Sequence, residues 1–352
     1  MEHVRVGVIG TGRMGQRHCR VFSNLRRVQL VGVYDANPVV GYKVAQQYDA
    51  PFFDSIDELL KQVDAVSLAT PTFFHHEQAM LCISKGLHVL VEKPITRTLD
   101  QAEALVKAAK ESGLVVQIGH IERFNPAYIE LKNILEEYQP LSITLQRLSP
   151  YQGSNKDVDV VMDLMIHDAN LMLDLLKKNP TKMSAYGLTA YSGTIDHAIA
   201  QLIFEGGPML TMTSSRLTEE KIRKIDVTCR EAYIECDLLN KSISVHRSTF
   251  GEYLNSNRRG VKYRQEGIIE RINIPSFEPL FLQLQHFVDC ILEEKTPYVT
   301  AQDGYDALKL TLYIRDCICE HLINMDRRKT PRVDTPSIMI EPSVNVSSPR
   351  PN

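Results

Sequence analysis

The feature that most narrows what this chain can fold into is a glycine turn set between an apolar strand and a helix. Val4–Ile9 is largely apolar, Gly10-Thr11-Gly12-Arg13-Met14-Gly15 follows at once, and helical periodicity begins near Met14. Each glycine meets a separate demand: Gly10 permits a tight turn, Gly12 lets the backbone approach a ligand, and Gly15 lets helix and strand pack closely. The helix opening here offers unpaired N–H groups and the positive end of its dipole, so the turn suits a pyrophosphate.

Asp35 lies 20 residues beyond Gly15, at the end of a second apolar run, Val28–Tyr34. A carboxylate placed there accepts hydrogen bonds from adenosine ribose hydroxyls and repels a 2′-phosphate, which favours NAD over NADP; Arg13 softens that preference. The plainer alternative is a structural turn with a capping aspartate. Strand, helix and acid in register favour the dinucleotide.

Further strand-like runs at 65–69, 88–91 and 115–118 alternate with helices starting near Pro38, Phe74 and Leu99. Such repeated βα units predict a doubly wound parallel sheet covered on both faces, a Rossmann domain over residues 1–122. After it come helices near 126–137 and 160–176, strands near 141–148, 183–191, 198–204, 209–215, 224–228, 232–237, 242–245 and 268–274, and helices near 280–294 and 304–324. This pattern predicts an α+β domain over 123–329 with an open, largely antiparallel sheet, giving an α/β protein of two domains. The 352 residues exceed what one core of about 250–300 usually holds. Residues 330–352, rich in Pro, Ser and Val without periodicity, read as a flexible tail.

A net charge of −3 gives no footprint for nucleic acid, and no long apolar run suggests a membrane partner. The seven cysteines are scattered, without Cys-x-x-Cys pairs or histidines at zinc spacing, so no metal site is expected and the thiols read as reduced. The N-terminus shows no leader pattern, and a cytoplasmic location is expected.

Chemistry is expected where ligands of such sheets bind, outside the carboxyl ends of the strands. Glu92-Lys93-Pro94 ends the strand at 88–91, and the proline keeps Lys93 extended. Asp163 and His167, four residues apart, share a face of an otherwise apolar helix, where polar groups need partners. Oxidising an alcohol needs a base for the hydroxyl proton and a donor for the developing alkoxide. His167 is the candidate base, Lys93 the donor, and Asp163 the group that orients one of them. A solvated lysine and a helix-surface ion pair are the alternatives.

Taken together, the glycine turn with Asp35, Ala69-Thr70-Pro71 followed by His75, Glu92-Lys93-Pro94 and Asp163-x-x-x-His167 resemble the Gfo/Idh/MocA oxidoreductase family over about residues 4–324. The resemblance implies that Thr70, Pro71, His75, Glu92 and Lys93 line the nicotinamide side and that Lys93, Asp163 and His167 form the catalytic group. It also implies dimers or tetramers built through the second sheet. Asp168 follows His167 as in many members, but Asn170 stands where many carry a second aspartate, which puts the substrate contacts of that turn in doubt.

A local match narrows the substrate. Gly119-His120-Ile121-Glu122-Arg123-Phe124-Asn125-Pro126 resembles the segment of members that oxidise C3 of UDP-N-acetylglucosamine, so His120, Glu122, Arg123 and Asn125 are expected at the sugar. Arg123 has an interdomain salt bridge as its alternative role. For a diphosphate, Arg216, Lys221 and Arg223 are candidates, with a solvated basic strand edge as the plainer reading. Phe73, Phe124 and Tyr151 are read as apolar packing. Competing with the nucleotide sugar are a free sugar or cyclitol substrate and, from another class, a non-catalytic dinucleotide-binding regulator, which would have no evident need for Lys93, Asp163 and His167 together.

Overall fold

The computed structural model describes residues 2–151, 158–191, 193–254 and 261–329. Five short strands form the first sheet: β1 (Val4–Ile9), β2 (Val28–Tyr34), β3 (Ala65–Leu68), β4 (His88–Glu92) and β5 (Val116–Gly119), all parallel in the order β2-β1-β3-β4-β5. The near-continuous burial of β1, β3, β4 and β5, with β2 more open at the edge, follows from helices on both faces: α1 (Arg13–Phe22), α2 (Pro38–Gln47), α3 (Ile56–Leu60), α4 (Thr72–Ser84) and α5 (Leu99–Ser112). Strand order reverses beside β1, so the glycine turn sits at the topological switch point, where such sheets bind ligands. The five-residue α3 is too short to show periodicity and was not expected from the sequence.

A 3-10 turn, Ile121–Phe124, leaves β5 and leads into α6 (Pro126–Ile134), begun by Asn125 as its cap. The second sheet follows: β6 (Pro140–Leu148), β7 (Lys182–Leu188), β8 (His197–Ile203), β9 (Met209–Ser215), β10 (Ile222–Cys229), β11 (Ala232–Asp237), β12 (Ser242–Leu254) and β13 (Val261–Ile272). All its pairings are antiparallel except β6 with β9. Alternation puts Ile143, Leu145, Leu202, Met212, Ile225 and Val227 on one face, under α6 and α7 (Ile166–Leu176), in one core. The outer face carries Tyr186, Ile199, Ile203, Met209 and Tyr233, all exposed. The strands β12 and β13 run further than the apolar alternation predicts, because a long ladder of backbone pairs joins them through polar sequence.

Two helices complete the described residues. In α8 (Pro279–Leu292), Leu280, Leu284 and Phe287 lie in one core with Val4, Val6 and Phe22 of the first layer. The helix α9 (Ala301–Lys329) contributes Leu308 to the first layer's core and Ile314 and Ile318 to the second's. The segment expected to belong wholly to the second domain therefore folds back onto the first. The expected tail, 330–352, lies outside the described residues. No helix of the described residues is long and apolar enough to cross a membrane, and all seven cysteines are free.

Candidate active site

The glycine turn has the form the sequence predicts. Gly10 has φ of +88°, and a Cβ there would lie 2.8 Å from the backbone of Ala69 and Thr70. A Cβ on Gly15 would stand 1.8 Å from the Gly10 carbonyl oxygen. Gly12 differs: its φ is −66° and nothing lies within 4 Å of its would-be Cβ. Neither backbone strain nor packing inside the chain requires glycine there, so close approach of a ligand is the remaining reason. Gly12 caps α1 without a side-chain bond, which leaves the first N–H groups of the helix, those of Arg13 and Met14 among them, for an anion.

Asp35 is tied to this turn. Its Oδ2 accepts from Thr11 N at 2.6 Å and Thr11 Oγ1 at 2.7 Å, and its Oδ1 accepts from Asn37 N at 2.8 Å. Burial alone would raise the carboxyl, but these three bonds outweigh it and hold Asp35 below the ordinary carboxylate range. Three of roughly four acceptor positions are thus used within the chain, and the spare capacity for ribose is on Oδ1.

The loops after β3 and β4 are pinned to each other by His75. Its Nε2 lies 2.8 Å from Thr70 O and its Nδ1 2.8 Å from Pro94 O. Thr70 itself donates to Gln78, and Pro71 is exposed. Beneath them Glu92 is buried, 3.2 Å from His18 Nε2, whose Nδ1 is 2.7 Å from Ser67 Oγ. The structure thus makes Glu92 a support for the loop that presents Lys93.

Lys93 Nζ crosses to the second domain, 2.9 Å from the Asp163 carbonyl oxygen and 3.2 Å from Asp163 Oδ1. Asp163 sits in a π-helical turn, Val161–Met165, that precedes α7. Such a widened turn often marks functional sites. His167 follows in the first turn of α7; its Nδ1 is sealed from solvent without a partner among the described residues. Burial, then the charges of Lys93 and Arg147, push the His167 imidazole well below its usual 6.5, so it is neutral at physiological pH. The ring of His120 meets that of His167 edge to face, with centroids 6.4 Å apart. Burial, with Lys93 and Arg123 nearby, takes His120 down to about 3.

Behind the histidines stands a network the sequence shows only in part. Arg147, buried on β6, holds Glu122 at 2.7 Å and binds Asp168 Oδ1 through Nε (2.8 Å) and Nη2 (2.7 Å). Burial would raise the Glu122 carboxyl, but Arg147 and the Asn125 amide outweigh it. At Asp168 burial wins and the carboxyl is raised. Arg147 shares strand parity with Ile143 and Leu145, and an arginine in an otherwise apolar inward row is the signal by which it could have been found.

Two residues expected at the sugar are occupied elsewhere. Arg123 is 2% exposed, bonds Asp174 at 2.8 Å and lies over the Tyr298 ring at 4.5 Å, so the interdomain salt bridge is its place. Asn125 caps α6 and binds Glu122 and the Leu238 carbonyl. Asn170 is likewise buried, with its amide directed to Asp303 O. Arg216 is no solvated edge either, since it is buried and bound to Asp196 and Val158 O; Lys221 is exposed. Phe124 packs with His286 and Tyr298, and Tyr151 with Tyr191, whereas Phe73 is exposed. A groove of about 1010 Å³ beside α5 and α8 contains neither the glycine turn nor Lys93.

Residues 4–120 match the family model for the NAD-binding Rossmann fold of the Gfo/Idh/MocA oxidoreductases, and residues 145–235 match the C-terminal domain model of the same family. The chain belongs to the Gfo/Idh/MocA oxidoreductase family. Among its relatives is the UDP-N-acetylglucosamine 3-dehydrogenase of Acidithiobacillus ferrooxidans, 31% identical over 90% of this chain and 97% of that one. Its solved structure superposes with a TM-score of 0.82, covering 92% of this chain and 99% of the other. The scyllo-inositol 2-dehydrogenase (NAD(+)) of Bacillus subtilis is 26% identical over 86% of this chain and 91% of its own length. A levoglucosan dehydrogenase solved with NADH and levoglucosan shares the fold, with a TM-score of 0.76 at 19% identity. This Gfo/Idh/MocA protein is an oxidoreductase with an NAD-binding domain, and its open cradle at Gly12 fits the cofactor.

Gly12→Ala is expected to leave the thermal midpoint within about 2 °C and weaken NAD roughly tenfold or more, because its Cβ meets only ligand space. Gly15→Ala, whose Cβ meets backbone, should lower the midpoint itself. Calorimetric titration and melting of both variants check this, and equal effects on folding would contradict it. The histidines set an acid limit. An unfolded histidine protonates near 6.5 while His120 waits until about 3, so its contribution is intact above 6.5 and lost as pH falls below. Between pH 7 and 5 the wild type should lose about 2 kcal/mol more than His120→Asn. Urea unfolding at both pH values measures it, and parallel losses would refute it.

Proposed function

We propose that this protein oxidises the C3 hydroxyl of UDP-N-acetylglucosamine to the 3-keto sugar, with NAD as hydride acceptor. The observation that carries the reaction is the crossing of Lys93 Nζ onto Asp163, one helical turn before a neutral His167. Similarity along nearly the whole of the UDP-N-acetylglucosamine dehydrogenase supports the substrate. Asp35 supports NAD over NADP, because it would repel a 2′-phosphate.

In this reading Lys93 donates a hydrogen bond to the reacting oxygen and stabilises the charge that develops there as the C–H bond breaks. His167 accepts the hydroxyl proton at Nε2, and Asp163 positions the Lys93 ammonium through Oδ1 and its carbonyl. NAD held at the glycine turn would supply the hydride acceptor. The alcohol would give up a hydride from carbon and a proton from oxygen, two electrons and two protons in all, to leave the ketone. His120 closes the site against water beside His167. In this reading Lys93, Asp163 and His167 are the catalytic group, and Glu122, bound by Arg147, has a supporting role. We place the protein in the cytoplasm as a homodimer or homotetramer, joined through the outer face that exposes Tyr186, Ile199, Ile203 and Met209.

Single-turnover NADH formation from UDP-N-acetylglucosamine is expected to fall about 10²–10⁴-fold in His167→Ala and about 10²–10³-fold in Lys93→Met. Near-normal rates in both would overturn the catalytic assignment. Turnover of inositol or glucose by the wild type, with none of the nucleotide sugar, would replace the substrate by a cyclitol or free sugar.

A further inference from the structure

Among the described residues of the cleft is a cation that neither the dehydrogenation nor the internal ion pairs use. Arg223 lies on β10 directly opposite Arg147 on β6. Its parity with Ile225 and Val227 turns it to the helix-covered face, in the middle of the sheet, not to the solvated edge expected from the sequence. It stands where the apolar core gives way to the site, and its charge is felt at Glu122, Asp168, Asp163 and His167.

The acids around it are engaged. Glu122 and Asp168 bind Arg147, and Asp163 binds Lys93. Arg223 Nη1 is sealed from solvent and has no hydrogen-bond partner among the described residues. Burial and the like charge of Arg147 pull its guanidinium down to about 10, still a cation at neutral pH. A partly buried cation with a sealed, unpaired nitrogen is costly to the free protein, and an anion bound beside it reduces that cost. The other basic candidates do not offer this, since Arg216 is committed to Asp196 and Lys221 is exposed.

Resting on the nucleotide-sugar reading above, we infer that Arg223 is the phosphoryl subsite of the cleft, donating to a phosphate oxygen carried on the anomeric carbon of the sugar. Its planar fork matches two oxygens of one phosphoryl group. Selection of a phosphorylated sugar over a free sugar or cyclitol then falls to this residue, which takes no part in the proton transfer.

The test uses the full chain with Arg223→Gln and Arg223→Lys, assayed with UDP-N-acetylglucosamine at saturating NAD and with inorganic pyrophosphate as inhibitor. Arg223→Gln is expected to raise the sugar KM roughly 10- to 150-fold, change kcat and the NAD KM less than about threefold, and abolish inhibition by pyrophosphate. Arg223→Lys, which keeps the charge but not the fork, should recover part of the loss. An unchanged sugar KM with inhibition retained in Arg223→Gln would overturn the inference. Should that variant not fold, a wild-type KM in Arg223→Lys would do so. If the wild type oxidises only a free sugar or cyclitol, the substrate reading fails separately. The subsite is then decided by pyrophosphate inhibition of that reaction, which must be present in the wild type and absent from Arg223→Gln.

Discussion

The site hangs on one buried guanidinium. Arg147 ties Glu122, in the turn that leaves the last strand of the NAD-binding sheet, to Asp168 in the first turn of α7. Those two acids flank the elements that carry His120 and His167, so the arginine sets how the first domain faces the second. Removing one partner from such a buried cluster costs about 3–5 kcal/mol, because the charges left behind are out of water. Asp174 makes a second clamp further along α7, where Arg123, Lys132 and Tyr128 converge. With the helix held at both ends, Lys93 meets Asp163 across the interface without a covalent or metal bridge among the described residues.

Electrostatics then assigns different duties to similar groups. Lys93 is partly exposed and anchored by Asp163, so its positive charge is available at the cleft. The two histidines beside it are kept neutral by burial and by the surrounding cations. A neutral imidazole next to an anchored ammonium is the arrangement that lets one group accept the proton of an alcohol while the other steadies its oxygen. The same cations create the deficit at Arg223, whose neighbours have already spent their carboxylates on Arg147 and Lys93.

Much of this was legible in the residues. The strand, glycine turn and helix of the first layer follow from local periodicity and from backbone demands that only glycine meets. Lys93 could be placed because a strand end in a parallel sheet is a fixed position. The placement of Asp163 and His167 about one turn apart was legible as helical spacing, although the π turn that contains Asp163 leaves no trace in a 3.6-residue pattern. What local pattern does not carry is which acid takes which base. Arg123 and Asn125 look poised for a sugar in sequence, but Asp174, Tyr298 and Leu238 lie far along the chain and claim them. The return of α8 to the first core is hidden for the same reason, since an amphipathic helix does not announce which sheet it covers.

The central claim is that a sugar hydroxyl carbon loses hydride to NAD at a centre formed by Lys93, Asp163 and His167. Single-turnover oxidation of UDP-N-acetylglucosamine deuterated at C3 tests it most directly. The account predicts NADH that carries the deuterium and forms about two- to sevenfold more slowly than from the protonated sugar, since breaking the C–H bond is then the observed step. NADH without deuterium, or no NADH at all, would contradict it.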